Sequence, residues 1–180
     1  MDQDEQLLLA VLNSAPVLDG HRHDHLDGAE GAALVRAWGG TGTTEERVTL
    51  RRTREALHAV IREADTAALE VLGSVVADAA KTPRVTLDGL SWELQTPADT
   101  QLAVRTVTAW SDVARRFPGR VRACANPECN LFLVDHSRPG TAKWCSMAAC
   151  GNRAKARAFA ARARAEAHPH DDTSADATNH

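Results

Sequence analysis

The sequence has no tyrosine, only four tryptophans and three phenylalanines in 180 residues. A core built on large rings is therefore excluded, and heavy use of Ala makes much of the apolar surface small. No cysteine occurs before Cys124, so the first 123 residues have no thiol chemistry. No apolar run reaches the ~18 residues that a membrane span needs. Residues Met1–Asn13 begin acidic, where a secretion signal begins basic. The expectation is a cytoplasmic chain with no membrane association, in a compartment where thiols stay reduced. There is no nucleophile elbow, no phosphate-binding glycine loop and no metalloprotease helix, which argues against an enzyme.

The net charge of −3 is unevenly placed. Residues 1–119 carry 12 basic and 18 acidic side chains, residues 120–166 nine basic and three acidic, and residues 167–180 no basic and three acidic. An acidic body joined to a basic segment is a hint of polyanion binding.

Residues 1–119 read mainly as helix. Leu7–Leu12 is a short apolar run closed by Asn13-Ser14-Ala15-Pro16, and Gly31–Trp38 is a short helix closed by Gly39-Gly40. Thr43 with Glu46 fits a capping box opening a longer helix, in which each side chain satisfies the other's backbone N–H. Val48, Leu50, Leu57, Val60 and Ile61 make its apolar stripe, with Arg51, Arg52 and Arg54 off it. Thr66–Lys81 is helical, and Ala98–Phe117 is helical with Leu102, Val107, Trp110 and Val113 toward a core. Between them Val85–Leu94 alternates around Asp88-Gly89, a two-residue hairpin turn. That register puts Leu87 opposite Leu90 and Val85 opposite Trp92, on a face expected to lie against the helices. Pro118-Gly119 marks a domain boundary, and residues 167–180 form a polar tail expected to be disordered. The fold class is mainly α with a small β-hairpin (α+β).

All four cysteines fall within 27 residues, as Cys124-Ala-Asn-Pro-Glu-Cys129 and Cys145-Ser-Met-Ala-Ala-Cys150. Two pairs of matched spacing, 15 residues apart, suit a tetrahedral four-thiolate zinc site in which each pair supplies two ligands from one turn. Such a site is structural, since four protein ligands leave no position for a water nucleophile. Two disulfides or an iron–sulfur cluster can use the same thiols, and a reducing compartment and the tighter spacings familiar for clusters make zinc the dominant reading. His136, between the pairs, is an alternative fourth ligand. Leu131–Val134 reads as a strand with Ala142–Trp144 as its return, and Ser146 as the N-cap of the helix that follows. That helix start, with Lys143 and Arg153 near it, offsets the −2 charge of zinc with four thiolates.

Residues 147–167 contain no Pro and much Ala, and form a helix of ~30 Å. Arg153, Arg157 and Arg164 share one ridge; Lys155 and Arg162 lie nearly opposite; Met147, Ala154, Ala158 and Ala161 form a small-residue stripe between them. With Lys143, these five basic residues are the candidate nucleic-acid contacts, in a major groove or across phosphates.

At these residues the sequence resembles the CGNR zinc finger. Cys124–Cys129, Asp135 with Ser137, Trp144-Cys145-Ser146-Met147 and Cys150-Gly151-Asn152-Arg153-Ala154-Lys155 carry the likeness. Leu9–Ser14, Arg22–Leu26 and Leu34–Trp38 resemble the ABATE domain that usually precedes that finger. The resemblance implies an ABATE-like domain over residues 1–119 and, over 120–166, a treble-clef or ribbon-like finger ending in the basic helix. It implies a bacterial, stress-related transcription regulator whose finger binds DNA and whose N-terminal domain senses a small molecule or partner. By the motif, Arg153 and Lys155 contact nucleic acid, Asn152 fixes the helix start and Trp144 packs beside the metal. Asn13, Arg22, Asp24 and Arg54 are the ligand-binding residues the likeness suggests. The alternative function is a zinc-stabilised module that docks RNA or protein. His21, His23 and His25 alternate, so on a strand they would share a face and offer a second metal site; a polar loop is the competing reading.

Overall fold

The computed structural model describes residues 2–167. Helix α1 (Gln3–Leu12) starts where the Asp2 carboxylate accepts the Glu5 N–H at 2.8 Å, and it buries Leu7, Leu8, Val11 and Leu12. Strands β1 (Val17–Leu18) and β2 (His21–Arg22) form a minimal hairpin turning on Asp19-Gly20, both at positive φ. Helices α2 (Gly28–Ala37), α3 (Thr44–Glu63) and α4 (Ala67–Val76) follow, then strands β3 (Ala80–Thr86) and β4 (Gly89–Gln95). A 3₁₀ turn at Ala98–Thr100 leads into α5 (Gln101–Arg116). Strands β5 (Val121–Ala123) and β6 (Phe132–Val134) pair antiparallel; a π-helical turn (Met147–Gly151) then opens α6 (Asn152–Ala167). Just over half of the described residues are helical, with small antiparallel strand pairs, an α+β fold. The predicted disordered tail lies outside the described residues beyond Ala167. No helix among the described residues is long and apolar enough to cross a membrane.

Two apolar clusters hold the helices together. One joins Leu8 and Leu12 of α1 to Leu57 of α3, Leu72 of α4, Val113 of α5 and Phe132 of β6. The other joins Leu7, Val11, Leu26, Val35, Leu50 and Leu102. Each such side chain contributes roughly 1.5–3 kcal/mol by leaving water.

The contacts part the chain into two compact units between Cys145 and Ser146. The boundary read after Gly119 instead runs through the first unit. The reason is Phe132: it is buried in the α1–α3–α4–α5 core, so β6 and its partner β5 belong to the helical body.

Four local expectations need correction. Thr43 caps α3, accepting the Glu46 N–H at 3.1 Å, but Glu46 does not return the bond to Thr43. Its buried carboxylate accepts from Gly42 N–H and the Thr41 hydroxyl, tying the α2–α3 loop instead. Arg54 is not off the apolar stripe of α3. It is 1% exposed and lies one turn from both Leu50 and Leu57.

The β3–β4 hairpin is shifted. Thr86 pairs with Gly89, Val85 with Leu90 and Pro83 with Trp92. Gly89, at φ +113°, takes the left-handed position after a Leu87-Asp88 turn instead of lying within the turn. The shift keeps the apolar residues on one face, but that face is not buried: Val85 is 86% exposed and Trp92 61%. Finally, β6 pairs upstream with β5, and Ala142–Trp144 is not a strand; Lys143 offers only its carbonyl, to Ala125 N–H at 2.8 Å.

Candidate metal centre and basic helix

The first cysteine turn is shaped by Asn126, whose side chain is buried. Its Oδ1 accepts the Glu128 N–H and its carbonyl accepts the Cys129 N–H at 2.9 Å, which folds Cys124–Cys129 into one knuckle. Cys124 N–H donates to Leu131 C=O at 2.8 Å, so the knuckle grows out of the end of the β5–β6 pair. Cys145 N–H points at Cys124 Sγ at 3.5 Å, which ties the second cysteine turn to the first.

The four Sγ atoms of Cys124, Cys129, Cys145 and Cys150 lie within 4.8 Å of one another. Cys129 and Cys145 are 3.7 Å apart. A tetrahedral zinc with ~2.3 Å Zn–S bonds needs sulfurs ~3.8 Å apart, so the donor set and its spacing fit one structural Zn²⁺. The disulfide alternative is not realised: none of the four is bridged, and 3.7 Å is far beyond an S–S bond of ~2.05 Å. Cys124 and Cys150 are buried and the other two half-buried, which keeps water from displacing a thiolate. This is the only group of three or more potential metal ligands among the described residues. His21, His23 and His25 are exposed and are not brought together as one. His136 turns to the helical body, where its Nε2–H donates to Glu5 of α1 and its ring meets Phe117 edge-on.

Residues 120–163 match the sequence model of the CGNR zinc finger. No curated protein shows a significant match to the chain. Within the matched segment, Asp135 organises the loop between the cysteine pairs. It is buried and accepts from Ser137 N–H (2.9 Å), the Ser137 hydroxyl (2.6 Å), Ala142 N–H (3.0 Å) and the Arg122 guanidinium. The Ser137 hydroxyl, then the backbone N–H groups and Arg122, hold its carboxyl below the usual carboxylate range. Arg120 donates to the carbonyls of Asp135 and Ser137, pressed against Gly140. A Cβ at Gly140 would stand 2.6 Å from that guanidinium, and the residue has φ +67°, so both space and backbone call for glycine there. Arg120 and Arg122 therefore serve the loop's own structure, although charge counting places them in the basic segment.

The finger's start is fastened to the helices at Asn130, the residue after Cys129. Its side chain accepts Val17 N–H (2.9 Å) and donates to Ala15 C=O (2.6 Å), and its carbonyl accepts from Arg62 (2.7 Å). The Phe132 ring lies 4.4 Å from that of His58 and 4.6 Å under the Arg62 guanidinium. Local pattern gives no sign of these contacts, since the partners of Asn130 lie 68 to 115 positions away in sequence. Trp144 is half-buried.

Beyond the cysteines, the Ser146 hydroxyl accepts Ala149 N–H as the N-cap, and Asn152 Nδ2 donates to Ala148 C=O at 3.2 Å, fixing the helix start. The π-helical turn places Cys150 and Gly151 in buried positions. Arg153, Lys155, Arg157, Arg162 and Arg164 are all exposed, as is Lys143. Met147 and Phe159 are exposed too.

The four residues suggested as ligand contacts are all engaged internally. Arg54 uses five N–H bonds: to both oxygens of Asp24 (2.8 and 2.6 Å), to the Ser14 hydroxyl (2.8 Å) and twice to Glu55 (3.0 and 3.2 Å). Arg22 pairs with Glu55. Asn13 bonds the backbone of Phe132. Together they staple the loop after α1 onto α3 and β6.

Proposed function

We propose that the protein is a zinc-dependent DNA-binding regulator in which the CGNR finger contacts DNA through α6. The observation that carries this reading is the surface of that helix. Five basic side chains are exposed from Arg153 to Arg164, no acidic residue lies between Asn152 and Ala165, and the helix follows directly from the last zinc ligand. Exposed Lys and Arg gain affinity for a phosphate backbone by releasing counterions, without base contacts. In this reading residues 1–119 sense a small-molecule effector or a partner, and the role is binding rather than catalysis.

The test is fluorescence anisotropy of the zinc-loaded chain with labelled DNA duplexes across a series of salt concentrations. The expected result is binding that weakens steeply with salt, with Arg153→Glu plus Arg157→Glu abolishing it. No binding at low salt, or binding indifferent to those substitutions, refutes the reading. Phe159, 69% exposed among the arginines, favours a second one in which the helix docks RNA or an acidic protein surface. Capture from lysate with and without nuclease distinguishes nucleic acid from protein.

A further inference from the structure

We propose that the cleft between the β3–β4 hairpin and helices α1 and α5 binds a small aromatic monocarboxylate. The inference names the effector class for the sensing role above and rests on that reading only for its regulatory meaning.

The cleft has a volume of about 220 Å³ and is lined by Asp4, Lys81, Trp92, Leu94, Arg105 and Thr108. That is below the ~300 Å³ at which pockets for drug-sized ligands begin, and suits a single-ring molecule. One wall is apolar. Trp92 and Leu94 share a face of β4, and Trp92 remains 61% exposed although packing would favour its burial. An indole left open beside a cavity offers a stacking surface for a planar ring.

The polar side is selective in charge. Arg105 grips Asp4 Oδ1 through Nε (3.0 Å) and Nη2 (2.7 Å), and its Nη1 donates to Trp38 C=O (3.3 Å). The Asp4 charge is thus answered and the guanidinium is fixed in place. Lys81, opposite Leu94 in the sheet, is exposed and its ammonium makes no ion pair among the described residues. The lining has two cations to one carboxylate, a surplus of one positive charge that matches a monoanion. A charge-assisted bond to a carboxylate is the strong kind of polar contact, and Thr108 brings a hydroxyl to the same lining.

The test uses the intact, zinc-loaded chain and tryptophan fluorescence, checked by calorimetry, with phenylacetate as probe and phenylacetamide and acetate as controls. Phenylacetate is expected to bind saturably with a midpoint of about 1 mM or below. The amide and acetate are expected to bind at least about tenfold more weakly, and Lys81→Gln to weaken phenylacetate by a similar factor. Lys81 is an exposed surface position, so that variant is expected to fold; Thr108→Val supplies a second. Absence of saturable phenylacetate binding, equal binding of the amide, or an unchanged Lys81→Gln variant overturns the proposal. DNA binding is measured on the same preparation: its loss with phenylacetate binding intact sinks the regulator reading alone, and the converse sinks this one alone.

Discussion

Asn13 and Phe132 stand 119 residues apart in sequence and are bound as two strand neighbours would be. Asn13 Oδ1 accepts the Phe132 N–H at 2.7 Å, and Asn13 Nδ2 donates to the Phe132 carbonyl at 3.2 Å. One amide side chain at the end of α1 thus completes the open edge of β6, three residues from the zinc ligand Cys129.

Removing that amide leaves a partly buried N–H and C=O unmatched. Asn13→Ala is expected to destabilise the zinc-loaded protein by about 1–3 kcal/mol. Urea denaturation checks it, with a lowered midpoint at unchanged slope. Zinc competition with a chromophoric chelator is expected to show weaker metal retention in the variant, because Asn130 beside Cys129 is held by the same turn. An unaltered urea midpoint would mean the link between helices and finger is incidental.

His58 makes the fold sensitive to mild acid. Burial, first, pushes its imidazole below the ordinary histidine range, although its Nε2–H bond to the Leu12 carbonyl and the Glu55 charge oppose this; Arg54 and Arg62 add to the lowering. A folded-state value below the unfolded one means the unfolded chain binds the proton more readily. The associated stability is full above pH ~6.5 and is lost as pH falls from there through the folded value. Thermal unfolding between pH 8 and 5 is expected to show that loss, and His58→Gln to flatten it. A variant with the same pH slope as the parent would refute the assignment.

Among the described residues, Asp24 is the only carboxylate that holds both terminal nitrogens of buried Arg54. Asp24→Ala is expected to cost ~2–3 kcal/mol, at or below the lower edge for breaking a buried pair, since Glu55 stays and Asp24 is partly exposed. Its carboxyl is held below the ordinary range by the Arg54 bonds, so its contribution is present above pH ~4 and disappears on further acidification. Urea midpoints at pH 7 measure the effect of the substitution.

The hairpin separates two kinds of residue that look alike in sequence. Val85→Thr is expected to change stability by no more than ~0.5 kcal/mol, because the side chain is exposed. Gly89→Ala is expected to cost about 1 kcal/mol, because φ +113° strains any side chain. Denaturation of the two variants side by side decides this, and a large loss for Val85→Thr would place the face in a core after all.

Local signals were readable and distant ones were not. The Leu7–Leu12 run, the Thr43 and Ser146 caps and the two cysteine turns each follow from neighbours within a few residues, and each is present. Arg54 shows position outweighing charge: it stands four residues after Leu50 and three before Leu57, which puts it on the buried side of α3. The hairpin register slipped because Asp-Gly serves two turn types, and only the backbone shows which one. The attachment of β5 and β6 to the helices depends on Asn13, Arg62 and Asn130, polar residues whose partners lie in remote segments and leave no periodic trace.

Native mass spectrometry of the reduced, gently purified chain, with circular dichroism of the same sample, before and after a strong chelator, tests the account most directly. The account predicts one zinc per chain, lost on chelation together with the helical signal of residues 146–167. A chain that binds no zinc when purified this way, or one that keeps that helix after the zinc is removed, would contradict it.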